Sequence, residues 1–288
     1  MTTARAYAGG VVIGDDLYVI GGSSTSGPRS LTEIYDTVGN IWRAAAALPV
    51  GLEQFGITFN DNKIYVAGGF ATAGPDSETR EVESNSLWIF DLNLGAWIKG
   101  PSMPAARIGL GLASVAGKIY AIGGSGPNAE QVFIFDPQAS RWTTSKVSMP
   151  APRIGASVTV FNNEIYVIGG SVDHSPTARV DIFDPARGTW RAGPALPSPR
   201  AGHVAVVVDG KIHVTGGQSI SPPKTYPDHF VLDASGAQWS KAPPLPTPRH
   251  GAVAAASHGK LFVIGGSPGA GVYTVFTASD VVDIYSGK

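Results

Sequence analysis

The chain has 288 residues, no cysteine and a formal net charge of −1, from 21 Lys+Arg against 22 Asp+Glu. That balance excludes the basic surplus that nucleic acid or an anionic membrane demands, and the absent thiols exclude disulfides, thiolate nucleophiles and Cys-bound metals. With 43% hydrophobic residues and no apolar run near the ~20 residues that cross a bilayer, the composition predicts a large buried core.

In chain order, MTTARAYAGGVVIGDD has the outline of a leader, yet it fits the frame of every later repeat and reads as a strand. Each repeat holds an apolar strand A, a polar turn (GDD, DNK, AGK, NNE, DGK, HGK) and an apolar strand B ending in Gly-Gly. The pairs fall at 21–22, 68–69, 123–124, 169–170, 216–217 and 265–266. A ring stands three positions before each pair: Tyr18, Tyr65, Tyr120, Tyr166, His213 and Phe262. A variable loop leads to strand C, read as EIYD, WIFD, FIFD, DIFD, FVLD and DIYS. In the first five repeats the closing Asp (36, 91, 136, 184, 233) precedes, by six residues, Trp42, Trp97, Trp142, Trp190 and Trp239 on strand D. A Pro-rich link follows. A period of about fifty residues signals a stacked or radial array.

Short apolar runs between turn residues predict four antiparallel strands per repeat. The glycines permit positive φ and close approach, the Asp caps the C–D turn, and the indole covers the neighbouring sheet. One such sheet cannot bury both faces, but six around an axis can. The repeats run approximately 1–47, 48–102, 103–148, 149–195, 196–244 and 245–288, in a single domain spanning 1–288.

Gly-Gly, the ring before it, Y/F-D and the later Trp closely resemble the Kelch repeat, over essentially the whole chain. A WD40 array would need Trp-Asp dipeptides, and none occurs. The resemblance implies an all-β, six-bladed Kelch-type β-propeller with four antiparallel strands per blade. The sixth repeat stops at DIYSGK without strand D or its Trp. Kelch rings are usually closed by a strand borrowed from the other terminus, and Met1 holds the frame position of Met103 and Leu196. The expectation is therefore either a three-stranded sixth blade or a longer native polypeptide.

Strand alternation places the A–B and C–D turns on one face and the B–C and D–A connections on the other. The long loops 70–86, 218–228 and 267–281 belong to the second face, where binding is expected. Sixteen residues before the glycines stand Arg5, Arg107, Arg153, Arg200 and Arg249, with Leu52 in repeat two. Five guanidiniums around one mouth would focus an anion. In Kelch adaptors of ubiquitin ligases, arginines in R-x-G contexts bind acidic peptides; by resemblance Arg107, Arg153 and Arg200 match best. The opposing reading is architectural, with each Arg tying backbone carbonyls or blades.

Departures from the repeat sharpen the candidates. Two positions after the Arg stand Gly109, Gly155, Gly202 and Gly251, but Tyr7 and Gln54 in repeats one and two. Glu53, Gln54 and Phe55 replace small residues, and His203 and His250 intrude likewise. The ligand-binding set is thus Arg5, Tyr7, Gln54, Phe55, Arg107, Arg153, Arg200 and Arg249. Asp173-His174 and Asp228-His229 read as solvated loop residues, and no HxH or HExxH spacing supports a metal. The stretch from Asp76 to Glu83, around Arg80, is a loop tip or a cover for the mouth. His213 reads as core and His258 lies on the opposite face.

No cofactor is expected. The glycine pairs are not followed by helices that would grip phosphate. Galactose oxidase, also built of Kelch repeats, needs a Tyr–Cys crosslink, and the E-x3-D-x3-H iron motif of nitrile-specifier proteins is missing. The favoured function is a binding module for an acidic peptide or small carboxylate ligand on the Arg-lined face. An alternative is a small-molecule isomerase or lyase resembling sialic-acid mutarotases, with Glu53, His203 or His250 as acid–base groups. A third is a structural propeller of a longer polypeptide.

Overall fold

The strands of each repeat turn back on one another at residues that enter the left-handed region. The A–B turns carry positive φ at Gly14, at Asp61 and Asn62, at Ala116 and Gly117, and at Asn162 and Asn163. These are the two-residue hairpin turns whose twist matches that of the flanking strands. The computed structural model describes residues 1–72 and 81–286.

Among these residues the first blade pairs strand A (Gly9–Ile13) with B (Asp16–Ile20), B with C (Thr32–Asp36) and C with D (Ile41–Ala44). The same A-B-C-D order recurs in the next four blades. The sixth has only A (Val253–Ser257), B (Lys260–Ile264) and C (Val282–Ser286). Each strand A touches the strand A of the next blade, and the sixth touches the first, so the ring is closed. The cores lie between blades. Tyr18 packs on Phe90, Tyr65 on Phe135, Tyr120 on Phe183, and Tyr35 on Phe262 across the closure.

The glycine pairs are explained by the joints between blades. The second glycine donates its N–H to the carbonyl of the Arg position in the next blade: Gly22 to Leu52 (2.8 Å), Gly69 to Arg107 (2.7 Å), Gly124 to Arg153 (2.8 Å) and Gly266 to Arg5 (2.9 Å). The first glycine lies under the same carbonyl; a Cβ on Gly68, at φ +72°, would stand 2.7 Å from the Arg107 oxygen. Only glycine meets both demands.

The closing aspartates cap the C–D turns. Asp36 accepts from the N–H groups of Val38 (2.9 Å) and Gly39 (2.7 Å), and Asp184 from Ala186 and Arg187. Backbone hydrogen bonds hold both carboxyls below the usual carboxylate range. Three of the indoles fasten their blade to the one before it: Trp97 donates to the Ala46 carbonyl, Trp142 to Pro101 and Trp239 to Pro194, at 2.8–2.9 Å.

The arginines precede strand A: Arg5 stands before Gly9, and Arg200 before Val204. One expectation is corrected here. His229 is no loop residue but opens strand C of blade five (His229–Leu232), 3% exposed. It meets His213 at 2.9 Å (Nε2 to Nδ1) and the Pro243 carbonyl at 3.2 Å. Residues 76–80 of the acidic stretch lie outside the described residues.

Candidate functional site

The five arginines are 0–2% exposed, and their guanidiniums turn into the blades. Arg107, Arg153, Arg200 and Arg249 each donate to a carbonyl at the end of their own strand B, and all five meet the first or second residue of their own strand C. Arg153 donates to the Gly169 carbonyl (2.7 Å), the Val167 carbonyl (3.0 Å) and Asp181 (2.6 Å). Arg5 pairs with Glu33 at 2.6 Å and Arg249 with Asp283. Arg200 donates to Gly216 (2.8 Å) and lies over the Phe230 ring. Arg107 donates to Asn128 (2.6 Å) and Gly123 (3.3 Å), 4.0 Å from the Phe133 ring centroid. Burial lowers all five pKa values, that of Arg107 to about 10. The expected Arg-lined mouth is therefore corrected: these cations staple strands B and C, and no open surface presents them.

Two residues further along, the chain builds a different ring. Tyr7 donates its N–H to the Gly251 carbonyl (2.7 Å), Gly251 to Gly202 (2.8 Å), Gly202 to Gly155 (2.8 Å), Gly155 to Gly109 (3.0 Å), Gly109 to Gln54 (2.7 Å), and Gln54 back to Tyr7 (3.2 Å). All six have φ between +53° and +63°. This collar encircles the axis at the start of the strands A. Glycine adopts that conformation freely, whereas Tyr7 and Gln54 do so at a cost of roughly 1–2 kcal/mol each.

The collar borders a cavity of about 140 Å³ that continues between the inner strands into one of about 200 Å³. The Tyr7 hydroxyl lies 3.1 Å from His250 Nε2 and accepts from Gln218 Nε2 at 3.3 Å. His250 Nε2 lies 3.0 Å from the Thr274 hydroxyl, and the Gln218 amide oxygen accepts the Gly271 N–H. Thus the B–C loops of blades five and six close on the mouth. Burial raises the Tyr7 phenol, with Thr274 and Gln218 opposing and the Glu53 charge adding. Gln54 donates to Glu53 at 3.2 Å.

Phe55 lines the same cavity but chiefly fills the space over Gly9 and Gly21. His203 also lines it, and neither ring nitrogen makes a well-formed hydrogen bond to the protein. Burial drives its pKa down to about 3, with Arg200 adding and the Ile168 carbonyl opposing; burial takes His250 to about 4. Both imidazoles are neutral near pH 7, outside the range expected of acid–base groups. His174 is an exposed turn residue, and His258 pairs with Asp15 at 2.7 Å on the opposite face. Among the described residues no cluster of three His, Cys, Asp or Glu side chains suits a metal.

The mouth was legible as departures from the repeat, and loop 267–281 beside it by its length, though not by its conformation. Loop 267–281 forms two 3-10 turns, Gly271–Tyr273 and Val275–Thr277, whose Thr274 hydroxyl also donates to the Gly271 carbonyl at 2.6 Å. Val272, Tyr273 and Phe276 stand 80%, 62% and 72% exposed there.

Comparison with known proteins agrees with this architecture. The solved structure of YjhT superposes with a TM-score of 0.83 at 20% identity, covering 99% of this chain and 95% of that one, a likeness of fold. The human Kelch repeat and BTB domain-containing protein 8 is 35% identical over 103 residues, which is 33% of this chain and 17% of that protein. Mouse Kelch-like protein 23 is 31% identical over 129 residues (44% and 22%), and Limulus polyphemus beta-scruin 27% over 150 (49% and 16%). The chain thus spans less than a quarter of these relatives. The Kelch motif matches at 4–49 and 53–104, and the KLHDC2/KLHL20/DRC7 Kelch-repeats domain matches 109–283, more than half of the chain. With its glycine joints, capped turns and indole fastenings repeated blade after blade, the chain belongs to the Kelch-repeat family.

Proposed function

We propose that the chain is a protein-binding propeller and that its B–C/D–A face, around the collar, makes the contact. The observation that carries this reading is the loop of blade six. Three large apolar side chains stand in water on one turn, while Thr274 of that turn is tied to His250 at the mouth. Ile220, on the neighbouring loop of blade five, is 47% exposed. An apolar tip beside a polar, neutral recess fits a partner chain that buries aromatic or aliphatic side chains and offers hydrogen-bonding groups to Tyr7, Gln54 and Gln218. An acidic ligand gains little support, because the guanidiniums already hold internal partners. Acid–base turnover gains little either, because the imidazoles are neutral.

A peptide-display selection against the protein tests this. Convergent binders whose affinity falls at least tenfold with Phe276→Asp, and is unchanged by Leu94→Asp on the opposite face, are the expected outcome. Binders that map to the Leu94 face, or no convergent sequence, overturn it.

A further inference from the structure

The B–C loops of blades one, four and five are two-stranded hairpins, pairing Ser23–Ser24 with Gly27–Pro28, Ser171–Val172 with Ser175–Pro176, and Gln218–Ile220 with Pro223–Thr225. Blade six has two short 3-10 segments there and no ladder. Only the base of its loop is fixed through the backbone. His250 and Ser267 exchange hydrogen bonds at 3.0 and 2.9 Å, and the Ser279 N–H donates to Gly266 (2.8 Å). Between 269 and 278 only Ala270 and Thr274 are buried. Val272, Tyr273 and Phe276 face water, so apolar burial does not hold this turn down and instead favours any position that covers them.

Two polar contacts tie the turn to the mouth. Gly271 donates its N–H to the Gln218 amide oxygen (2.9 Å), and the Thr274 hydroxyl meets His250 Nε2 (3.0 Å). The remaining hydrogen bonds of the turn run among its own residues and to Ser267 at its base. Both ties lead to one group. The Tyr7 hydroxyl accepts from Gln218 Nε2 at 3.3 Å and lies 3.1 Å from the same His250 nitrogen. Tyr7 also borders the cavity behind the collar. A phenol has one proton and two lone pairs, so a guest that hydrogen-bonds Tyr7 and Gln218 competes with both ties.

We propose that residues 269–278 form a latched lid over the recess, an inference that rests on the mouth being the contact surface. A partner group that bonds to Tyr7 and Gln218 takes over the two ties. The released turn swings from its base at Ser267 and Ser279 and lays Tyr273 and Phe276 over the guest, burying them. Binding and closure are then one event, with the Tyr7 hydroxyl as its trigger.

The chain has no cysteine, so pairs of introduced thiols report closure with no partner present. With Gln54→Cys and Phe276→Cys, oxidation should cross-link the turn to the collar. Cutting a tie by Tyr7→Phe or Gln218→Leu should speed this about three- to tenfold, while Leu94→Cys with Phe276→Cys stays unlinked. Hydrogen exchange of the turn amides should rise by a similar factor in Tyr7→Phe, with Val180–Asp184 unchanged. The lid is overturned if the 54–276 link never forms, or if Tyr7→Phe and Gln218→Leu both leave linking and exchange unmoved. Neither readout involves a partner. A turn found rigid in them, yet losing its binders with Phe276→Asp, would remove the lid and leave the contact surface standing.

Discussion

Tyr7 and Gln54 keep a backbone conformation that four glycines around the same ring adopt freely. Replacing Gln54 by glycine relieves it, and its side chain donates only one hydrogen bond, to neighbouring Glu53. Gln54→Gly should therefore raise stability in urea unfolding by about 1 kcal/mol, while weakening whatever the mouth binds. A lower midpoint would show that the amide supports the fold. The histidines give a second expectation. Folded pKa values of about 3 for His203 and about 4 for His213 and His250 lie below the 6.5 of an unfolded chain. The unfolded state then binds more protons below pH 6.5, so stability is full above that pH and falls as it drops towards 4. His250, 1% exposed, should account for on the order of 3 kcal/mol of that fall. Urea midpoints at pH 7 and pH 4.5 should differ less in His250→Gln than in the parent; an equal difference would refute the assignment.

At the scale of the strand, the recurring arginine is a staple. Arg153→Met should cost about 3–5 kcal/mol, because it strips Asp181 of a buried partner and frees two strand B carbonyls. Arg153→Lys should rescue little, since an ammonium lacks the planar fork; full rescue in a thermal melt would contradict the staple. Here the sequence was only partly legible. Gly-Gly, the capping Asp and the Trp are local signals, because a turn or joint needs those residue types wherever it occurs. The direction of the guanidinium is not local, since it depends on strand C, about 28 residues away (Arg5 to Glu33, Arg153 to Asp181). A comparison among the repeats would have found it. The first residue of strand C's terminal quartet is an acid (Glu33, Asp181, Asp283) or Phe (Phe133, Phe230) wherever the Arg is present, and Trp88 in the blade that has Leu52.

For the molecule as a whole, among the described residues, backbone bonds join the first and sixth blades, Gly266 to Arg5 and Tyr7 to Gly251, and strand C of the sixth has no strand D beside it. Hydrogen exchange should accordingly show amides of Val282–Ser286 less protected than those of Thr32–Asp36 or Val180–Asp184, whose strands are covered on both sides. Equal protection would mean that something already covers the rim.

The collar carries one more implication. Its six amide dipoles run head to tail around a circle, so they cancel along the axis and leave no backbone donor aimed at an incoming group. Chemical identity at this gateway consequently belongs to side chains alone. Exchanging the two that protrude, at positions 7 and 54, would rewrite what may pass or lodge there while the surrounding barrel of sheets stays unaltered.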